Sequence, residues 1–403
     1  MTSEKQGEYG RLNPMLAALE ALVKCESPTE DLKACNDVVR LASDIATRVL
    51  GTPAEIRQIE GRPVFWWGAA KPDVVLLAHL DTVWPIGSFT PLWQIEGRPV
   101  FWWGAAQPDV VLLAHLDTVW PIGSFTPLWQ IDGDVLRGPG TYDMKAGFVQ
   151  ALFALKGITG SVALVGTTDE ETGSHASRKL IQDLATNAKA VLVLEAAIDG
   201  KVKTGRKGTA MYQVHVHGRA AHAGLEPEKG INATVEIAHI VTALAFLENK
   251  EKQTTVVPTL VKAGNSTNTV PDYGVLDIDA RSYSTEELNR VDAAIRALVP
   301  LHPEARIEIT GGLNRPPLET TSTMELYERA EKVAARIGMP PLGHASVGGA
   351  SDGNFAAAAG AQVLDGLGAV GDGAHAAHEW VDISTLEDRS KLLHALIKDL
   401  LND

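Results

Sequence analysis

The stretch Val110–Asp117, VVLLAHLD, constrains this chain more than any other. An unbroken apolar run of this length reads as a strand buried on both faces, and such strands belong to parallel sheets covered by helices. The run closes on His115 and Asp117. Side chains alternate along a strand, so these two face the same way. The carboxyl ends of such strands are where open α/β sheets hold their ligands. The stretch also occurs twice: Gln58–Ile95 and Gln94–Ile131 are identical but for Lys71 against Gln107, with a period of 36 residues from His79 to His115. His79 and Asp81 are therefore a second copy of His115 and Asp117.

Two copies are too few for a solenoid, and nothing else in the chain repeats. Near-identity with sharp edges reads as a tandem duplication, with residues 60–95 a surplus copy of 96–131. The second copy runs straight into Asp134–Gly140 and is expected to fill the sheet. The net charge of −14 over 403 residues argues against nucleic acid as a partner. The opening residues MTSEKQGEYGRL lack the apolar run of a signal peptide, and no apolar stretch reaches the roughly 18–20 residues of a membrane span. Cys25 and Cys35 alone give no disulfide framework and fit a reducing cytoplasm.

Leu12, Met15, Leu16, Leu19, Leu22 and Val23 recur at helical spacing, as do Val38, Leu41, Ile45 and Val49. Ala54–Ile59 and Arg62–Trp67 read as a strand pair. After the repeat, a helix over Lys145–Leu155, a strand over Ser161–Thr167, a helix over Ser174–Leu184 and a strand over Ala190–Glu195 alternate. This is the pattern of a mostly parallel α/β sheet with helices on both faces. From Gly208 the strands alternate in polarity. Met211–His217, helix Ile231–Leu247, Thr254–Ala263, Val275–Ser282, helix Glu286–Leu298 and Arg306–Thr310 follow the β-α-β-β-α-β order of a ferredoxin-like α+β unit. A small domain over 208–315 is thus expected inside a larger one formed by 1–207 and 316–403. Ser322 with Glu325 and Ser384 with Glu387 read as capping boxes of two further helices.

Acidic and histidine residues gather after the strands. His115 and Asp117 come first, then Asp143 in the Gly-rich loop Gly138–Gly147, Glu170 and Glu171 after Thr167, Glu195 closing the next strand, and His375 in Gly371–Glu379. Each has an ordinary explanation: a core histidine, a solvated acidic turn, or an Asp capping a helix. The Gly-rich loop lacks the Lys-Ser or Lys-Thr of a phosphate loop. Independent caps and turns, however, need not all fall at one end of one sheet.

In order, HLDTV, GPGTYDMKAG, TTDEETGS, VLEAA, GRAAHAG and GAHAAHEWVDI resemble the di-zinc metallopeptidases that include bacterial glutamate carboxypeptidases and aminoacylases. The resemblance spans nearly the whole chain except the surplus copy. It implies two zinc ions, with cobalt and manganese as alternatives. His115, Asp143 and Glu195 would hold one ion, Asp143, Glu171 and His375 the other, and Asp143 would bridge. Imidazole and carboxylate both suit zinc. It also implies that Asp117 orients His115, that Glu170 is the general base, and that His222 of an inserted lid reaches the partner subunit's site in a homodimer. Asn268 and Arg281 would bind substrate, the guanidinium clamping a carboxylate; without the family, Arg281 reads equally as a strand-end salt bridge. Gly348–Asp352 would be a substrate-side loop. His375 is preferred to His378 because it stands four residues before Glu379, and His79 with Asp81 is the alternative metal copy.

The implied function is zinc-dependent hydrolysis of an amide bond in a small peptide or N-acyl amino acid, releasing a free amino acid. A glutamate-type carboxypeptidase leads and an N-acyl-amino-acid hydrolase is the alternative. Of another class is an inactive or metal-binding scaffold protein, in which the surplus apolar strand blocks the site or exposes an edge.

Overall fold

Val110–His115 lies inside a six-stranded sheet and is buried at every position. The computed structural model describes residues 12–51, 55–59, 62–66, 92–95, 98–105 and 107–402. Across the sheet the strands run in the order Val363–Leu364, Ala190–Val193, Val110–His115, Val162–Thr167, Arg98–Gly104 and Leu92–Ile95. The first four are parallel, and the last two add antiparallel partners at one edge. Val162–Thr167 and Ala190–Val193 are buried throughout, as strands covered on both faces must be.

Alternation divides the central strand between two layers. Val110, Leu112 and Ala114 join a core with Leu19, Leu22, Val38, Phe148, Leu152 and Leu393, from the helices Leu12–Lys24, Leu32–Leu50, Ala146–Ala154 and Leu386–Leu401. Val111 and Leu113 are equally buried and face the other way. The helix Asp352–Ala358 packs on Ala190–Val193 and against the helix Arg178–Ala185. Gly147 is needed where it stands: a Cβ there would lie 2.1 Å from the Leu194 carbonyl oxygen, so only glycine lets this helix meet the strand end.

A four-stranded antiparallel sheet sits at the chemistry. Its order is Gly371–Asp372, Trp380–Asp382, Val135–Arg137, Gln130–Asp132. Pairing of Val135–Arg137 with Trp380–Asp382 sets the loop after Arg137 beside the loop before Trp380. Residues far apart in sequence thereby share one rim.

Of the repeat, 96–131 supplies the sheet strands Arg98–Gly104 and Val110–His115, and the end of 60–95, expected to be surplus, supplies the edge strand Leu92–Ile95. His79 and Asp81 lie outside the described residues. Glu55–Ile59 and Arg62–Trp66 form a separate antiparallel pair. Its register, Ile59 opposite Arg62 and Gln58 opposite Pro63, is that of Ile95 opposite Arg98 and Gln94 opposite Pro99.

The chain forms two compact units, Met1–Thr204 with Thr320–Ser346 and Ser351–Asp403, and Gly205–Glu319 with Val347–Ala350. The second unit is a ferredoxin-like sheet, ordered Thr255–Ala263, Tyr273–Ser282, Gly208–His217, Arg306–Arg315 and antiparallel throughout. Ile237, Ile240, Leu288, Val291 and Ile295 of its helices Ala233–Leu244 and Thr285–Arg296 pack with Val214, Val216, Leu276 and Ile278.

Three local expectations fail. The helix Met324–Arg336 starts after Thr323 without a side-chain cap. The last helix starts at Leu386, because Asp382, a stronger acceptor than Ser384, takes the Ser384 N–H and opens a 3₁₀ turn that runs into it. The helix expected from Ser174 begins at Arg178, since Ser174 is left-handed (φ 54°) and Asp169 accepts the Ala176 and Ser177 N–H groups instead.

Deleting residues 60–95 joins Ile59 to Glu96 and leaves Gln58–Ile59 to pair with Arg98–Pro99 in the register both hairpins already use. The shortened chain is expected to fold with an unchanged far-UV circular dichroism spectrum, a thermal midpoint within about 5 °C of the full chain and no loss of soluble yield. An unfolded product would show that the first copy supports the fold.

Candidate metal centre

Neighbouring parallel strands deliver the side chains. His115 ends one strand, Glu170 and Glu171 follow the next, and Glu195 lies just past the third. The His115 ring is buried: Nδ1 is 3.1 Å from the Asp117 carbonyl oxygen and 3.6 Å from its Oδ1. The hydrogen bond that orients the ring therefore goes to the main chain of Asp117, with the carboxylate behind it. Asp117 is fully buried, and its Oδ2 accepts from the Thr29 hydroxyl at 2.7 Å and the Glu171 N–H at 3.4 Å. It couples the first strand end to the second.

From His115, Nε2 reaches Asp143 Oδ1 at 3.1 Å and Glu195 Oε1 at 3.8 Å. His375 approaches from the opposite side, its Nε2 lying 3.3 Å from Asp143 Oδ2 and 3.0 Å from Glu171 Oε2. The Asp143 carboxylate thus turns one oxygen to each imidazole. His375 holds a left-handed backbone (φ 61°), uncommon outside glycine and placed here at a functional-looking loop tip. His378, the rival in sequence, lies over Gly373. Donor atoms of His115, Asp143 and Glu171 come within 4.8 Å of one another, as do those of His115, Glu170 and Glu195.

Glu379 has a larger part than sequence reasoning assigned it. It is buried, and its Oε1 accepts the Tyr142 N–H at 2.9 Å and the Asp143 N–H at 3.1 Å. Its Oε2 accepts the Gly140 N–H at 3.0 Å and the Trp120 indole at 3.3 Å. Burial raises its pKa, and the three backbone donors pull it back. Lys145, fully buried, donates to the Leu22 and Cys25 carbonyls at 3.1 and 3.3 Å, and burial lowers it to about 8. Only the spacing of Glu379 to His375 was a usable signal in the sequence. Lys203 also enters: its Nζ is 4.0 Å from Glu195 Oε2.

The electrostatics are those of acids wanting a cation. Burial opposes a charge on His115, yet its bonds to Asp117 and Asp143 hold its pKa well above the ordinary value. His375 is pushed up to about 10 by Asp143 and Glu171. Burial raises Glu171 to about 7, while for Asp143 burial is outweighed by the two imidazoles, which hold it far below the usual range. Two nitrogen and several carboxylate donors, arranged about one shared carboxylate, fit a pair of divalent ions.

Of the remaining candidates, His222, Asn268 and Arg281 belong to the second unit, and Ser351 and Asp352 to the first. His222 is exposed, and its Nδ1 accepts the Gly224 N–H at 3.1 Å. Asn268 is exposed on the adjoining loop, its carbonyl accepting the Ala223 N–H at 2.9 Å. Arg281 is gripped by Asp279, Nε to Oδ1 at 2.9 Å and Nη2 to Oδ2 at 3.0 Å, which is the salt bridge weighed above. Of the Gly348–Asp352 loop, Ser351 caps the helix Asp352–Ala358 and bonds Asp365 at 2.7 Å, while Asp352 accepts from Thr167 at 3.1 Å and from Ser174. Both side chains are turned into the fold rather than toward a substrate.

A histidine and carboxylate cluster at the carboxyl ends of parallel strands defines the class of metallohydrolases. Residues 111–399 match the model of Peptidase family M20/M25/M40, and the chain belongs to that family, whose members hydrolyse amide bonds. It is 34% identical over 283 residues to carboxypeptidase G2 of Pseudomonas sp. (strain RS-16), covering 66% of this chain and 68% of that protein. It is 27% identical over 293 residues to succinyl-diaminopimelate desuccinylase of Hydrogenovibrio crunogenus, covering 66% and 75%. In fold it resembles a tripeptidase from Staphylococcus aureus, with TM-score 0.68, 18% identity and coverage of 98% and 99%. It likewise resembles an M20 family metallo-carboxypeptidase from Sulfolobus solfataricus, with TM-score 0.64, 17% identity and coverage of 96% and 99%. No helix among the described residues is long and apolar enough to cross a membrane.

Two outcomes follow from this geometry. Glu379→Ala strands four N–H donors and is expected to cost about 2–4 kcal/mol in urea unfolding and to weaken metal retention; Glu379→Gln, which keeps the shape and one acceptor oxygen but turns an NH2 group on the other donors, is expected to fall between. Equal stability of Glu379→Ala and the parent would show that the loop is held by other means. The second outcome concerns pH. A raised imidazole contributes stability that is complete below its ordinary 6.5 and lost as pH climbs toward about 10, and a raised carboxyl such as Glu171 costs stability once pH passes its ordinary 4.5. The lowered Asp143 contributes above its ordinary 3.8 and is lost only in acid. Metal-free protein is therefore expected to melt at progressively lower temperature above pH 6.5, and saturating zinc to flatten that slope; melts with and without chelator measure it.

Proposed function

We propose that this chain is a zinc-dependent hydrolase that cleaves an amide bond to release a free amino acid, most simply a carboxypeptidase taking a C-terminal glutamate-type residue. The observation that carries the reading is the split carboxylate of Asp143, one oxygen toward His115 and the other toward His375. His115, Asp143 and Glu195 would hold one ion and Asp143, Glu171 and His375 the other. When bound, the pair lowers the pKa of an attacking water and polarises the scissile carbonyl.

Glu170, largely buried beside Glu171, takes the proton from the attacking water and hands it to the departing amine nitrogen. Asp117 holds the His115 ring in place and ties it to the Glu171 backbone. His222 donates to the developing oxyanion in the partner subunit's site, which makes the active form a homodimer through the second unit. Asp279 occupies the Nε–Nη2 edge of Arg281, so a substrate carboxylate takes the guanidinium's outer edge, with Asn268 as a further polar contact. Similarity to carboxypeptidase G2 supports a C-terminal glutamate substrate. Similarity to succinyl-diaminopimelate desuccinylases supports the second reading, hydrolysis of an N-acyl amino acid by the same residues.

The test is a turnover screen of C-terminal-glutamyl and N-acyl amino acid substrates with the zinc-loaded protein and its Glu170→Gln variant. The variant is expected to keep its metal and lose about 10²–10⁴-fold in kcat. Turnover that survives the substitution would remove Glu170 as the base. Metal without turnover on any such substrate would favour a metal-binding scaffold.

A further inference from the structure

The second unit carries two histidines and a glutamate on paired strands that the proposed hydrolysis does not use. One face of its four-stranded sheet is covered by the helices Ala233–Leu244 and Thr285–Arg296, and His215 and His217 stand two apart on the opposite face of the strand Gly208–His217. The antiparallel register sets Glu308 directly across from His215 on one neighbouring strand, and Tyr273 directly across from His217 on the other. Cross-strand partners have Cβ atoms about 4.5–5.5 Å apart. Two imidazoles and a carboxylate therefore share one patch of rigid sheet.

The contacts within the patch are those of ligands awaiting an ion. His217 Nε2 is buried and without a hydrogen-bond partner, and it faces Glu308 Oε2 at 3.9 Å. That gap is too wide for a hydrogen bond. Two donors each about 2.0–2.2 Å from a tetrahedral ion stand about 3.4 Å apart, so closing the gap needs a shift of roughly half an ångström. Glu308 is exposed and free to make it. His215 Nδ1 lies 2.7 Å from the Tyr273 hydroxyl, and the His217 ring leans on the same tyrosine at 5.3 Å between centroids. When Nδ1 gives its proton to the phenol oxygen, His215 Nε2 keeps its lone pair, the tautomer a metal requires. Arg306 Nη1, 3.5 Å from Glu308 Oε2, is the competing partner. It sits on a long, exposed stem that can swing away, and it does nothing for the bare nitrogen of His217.

We propose that His215, His217 and Glu308 bind a single divalent transition ion of the zinc, nickel or copper(II) class. Two imidazoles and one carboxylate select such ions over magnesium and calcium, which take oxygen ligands. A fourth position stays open to water or to a group from another molecule.

The test uses the full-length protein. It is loaded with excess zinc and desalted, and metal per chain is measured for the parent and for His215→Ala/His217→Ala. The variant is expected to carry one zinc fewer. Glu308→Gln, an exposed conservative change, is expected to keep the fold and weaken zinc binding at this patch about tenfold in calorimetric titration. Copper(II) titrated into the parent should give nitrogen hyperfine structure in its electron paramagnetic resonance spectrum that the double variant reduces. Equal zinc content in the parent and the double variant, or copper spectra that coincide, would overturn the proposal. The comparison reads a difference of one ion, so it stands whatever the cluster at His115 binds.

Discussion

The carboxylate of Glu379 accepts three backbone N–H groups of the Gly140–Asp143 loop and the Trp120 indole, and this decides where Asp143 sits. A buried anion without a cation is costly unless dipoles surround it, and here each oxygen has two donors. The exchange is mutual. The loop has no regular partner for these N–H groups, and Glu379 has no other reason to stay charged in the interior. Lys145 holds the far end of the same loop by donating to carbonyls at the end of the helix Leu12–Lys24 and just beyond it. A buried anion and a buried cation thus clamp a short segment between them. Asp143 is left to face two imidazoles with one oxygen each.

Much of this fold was legible because it rests on local pattern. Continuous apolar runs marked Val110–His115, Val162–Thr167 and Ala190–Val193 as doubly buried strands, and strict alternation marked the ferredoxin-like strands. Strand ends told where to look for chemistry, and the structure brings His115, Asp143, Glu171, Glu195 and His375 together there. What stayed hidden depends on contacts between distant positions. Glu379 bonds N–H groups 236 residues or more away, and a single glutamate has no period to betray it. The Asp117 carbonyl beside His115 is a main-chain partner that no residue type announces. The Arg281–Asp279 pair was open to reading, since positions two apart on a strand share a face, but a guanidinium near a strand end is equally compatible with a substrate role. Two of the misplaced helix starts, at Arg178 and Leu386, share a cause. A carboxylate outcompetes a hydroxyl for the first free N–H groups, so Asp169 and Asp382 set the boundaries where serines were expected to.

The two units solve burial differently. In the first, apolar residues on both faces of the sheet leave polarity to the strand ends, so charge concentrates at one rim and must be neutralised there. In the second, one face of the sheet is open and the polar residues spread along it in cross-strand pairs: Gln213 with Asp277, His215 with Glu308, His217 with Tyr273. The first arrangement gathers its histidine and carboxylate donors at one place. The second makes a broad polar surface on which separate small sites can coexist.

The shared register of the two hairpins bears on how this chain tolerates change. Gln94-Ile95 opposite Arg98-Pro99 closes one edge of the six-stranded sheet, and Gln58-Ile59 opposite Arg62-Pro63 repeats that pairing in a separate hairpin. The same pairing therefore stands at two points of the chain 36 residues apart, so that loss of residues 60–95 would offer the strand Arg98–Gly104 the same partner sequence. The chain carries, in its own sequence, a spare version of its most constrained strand.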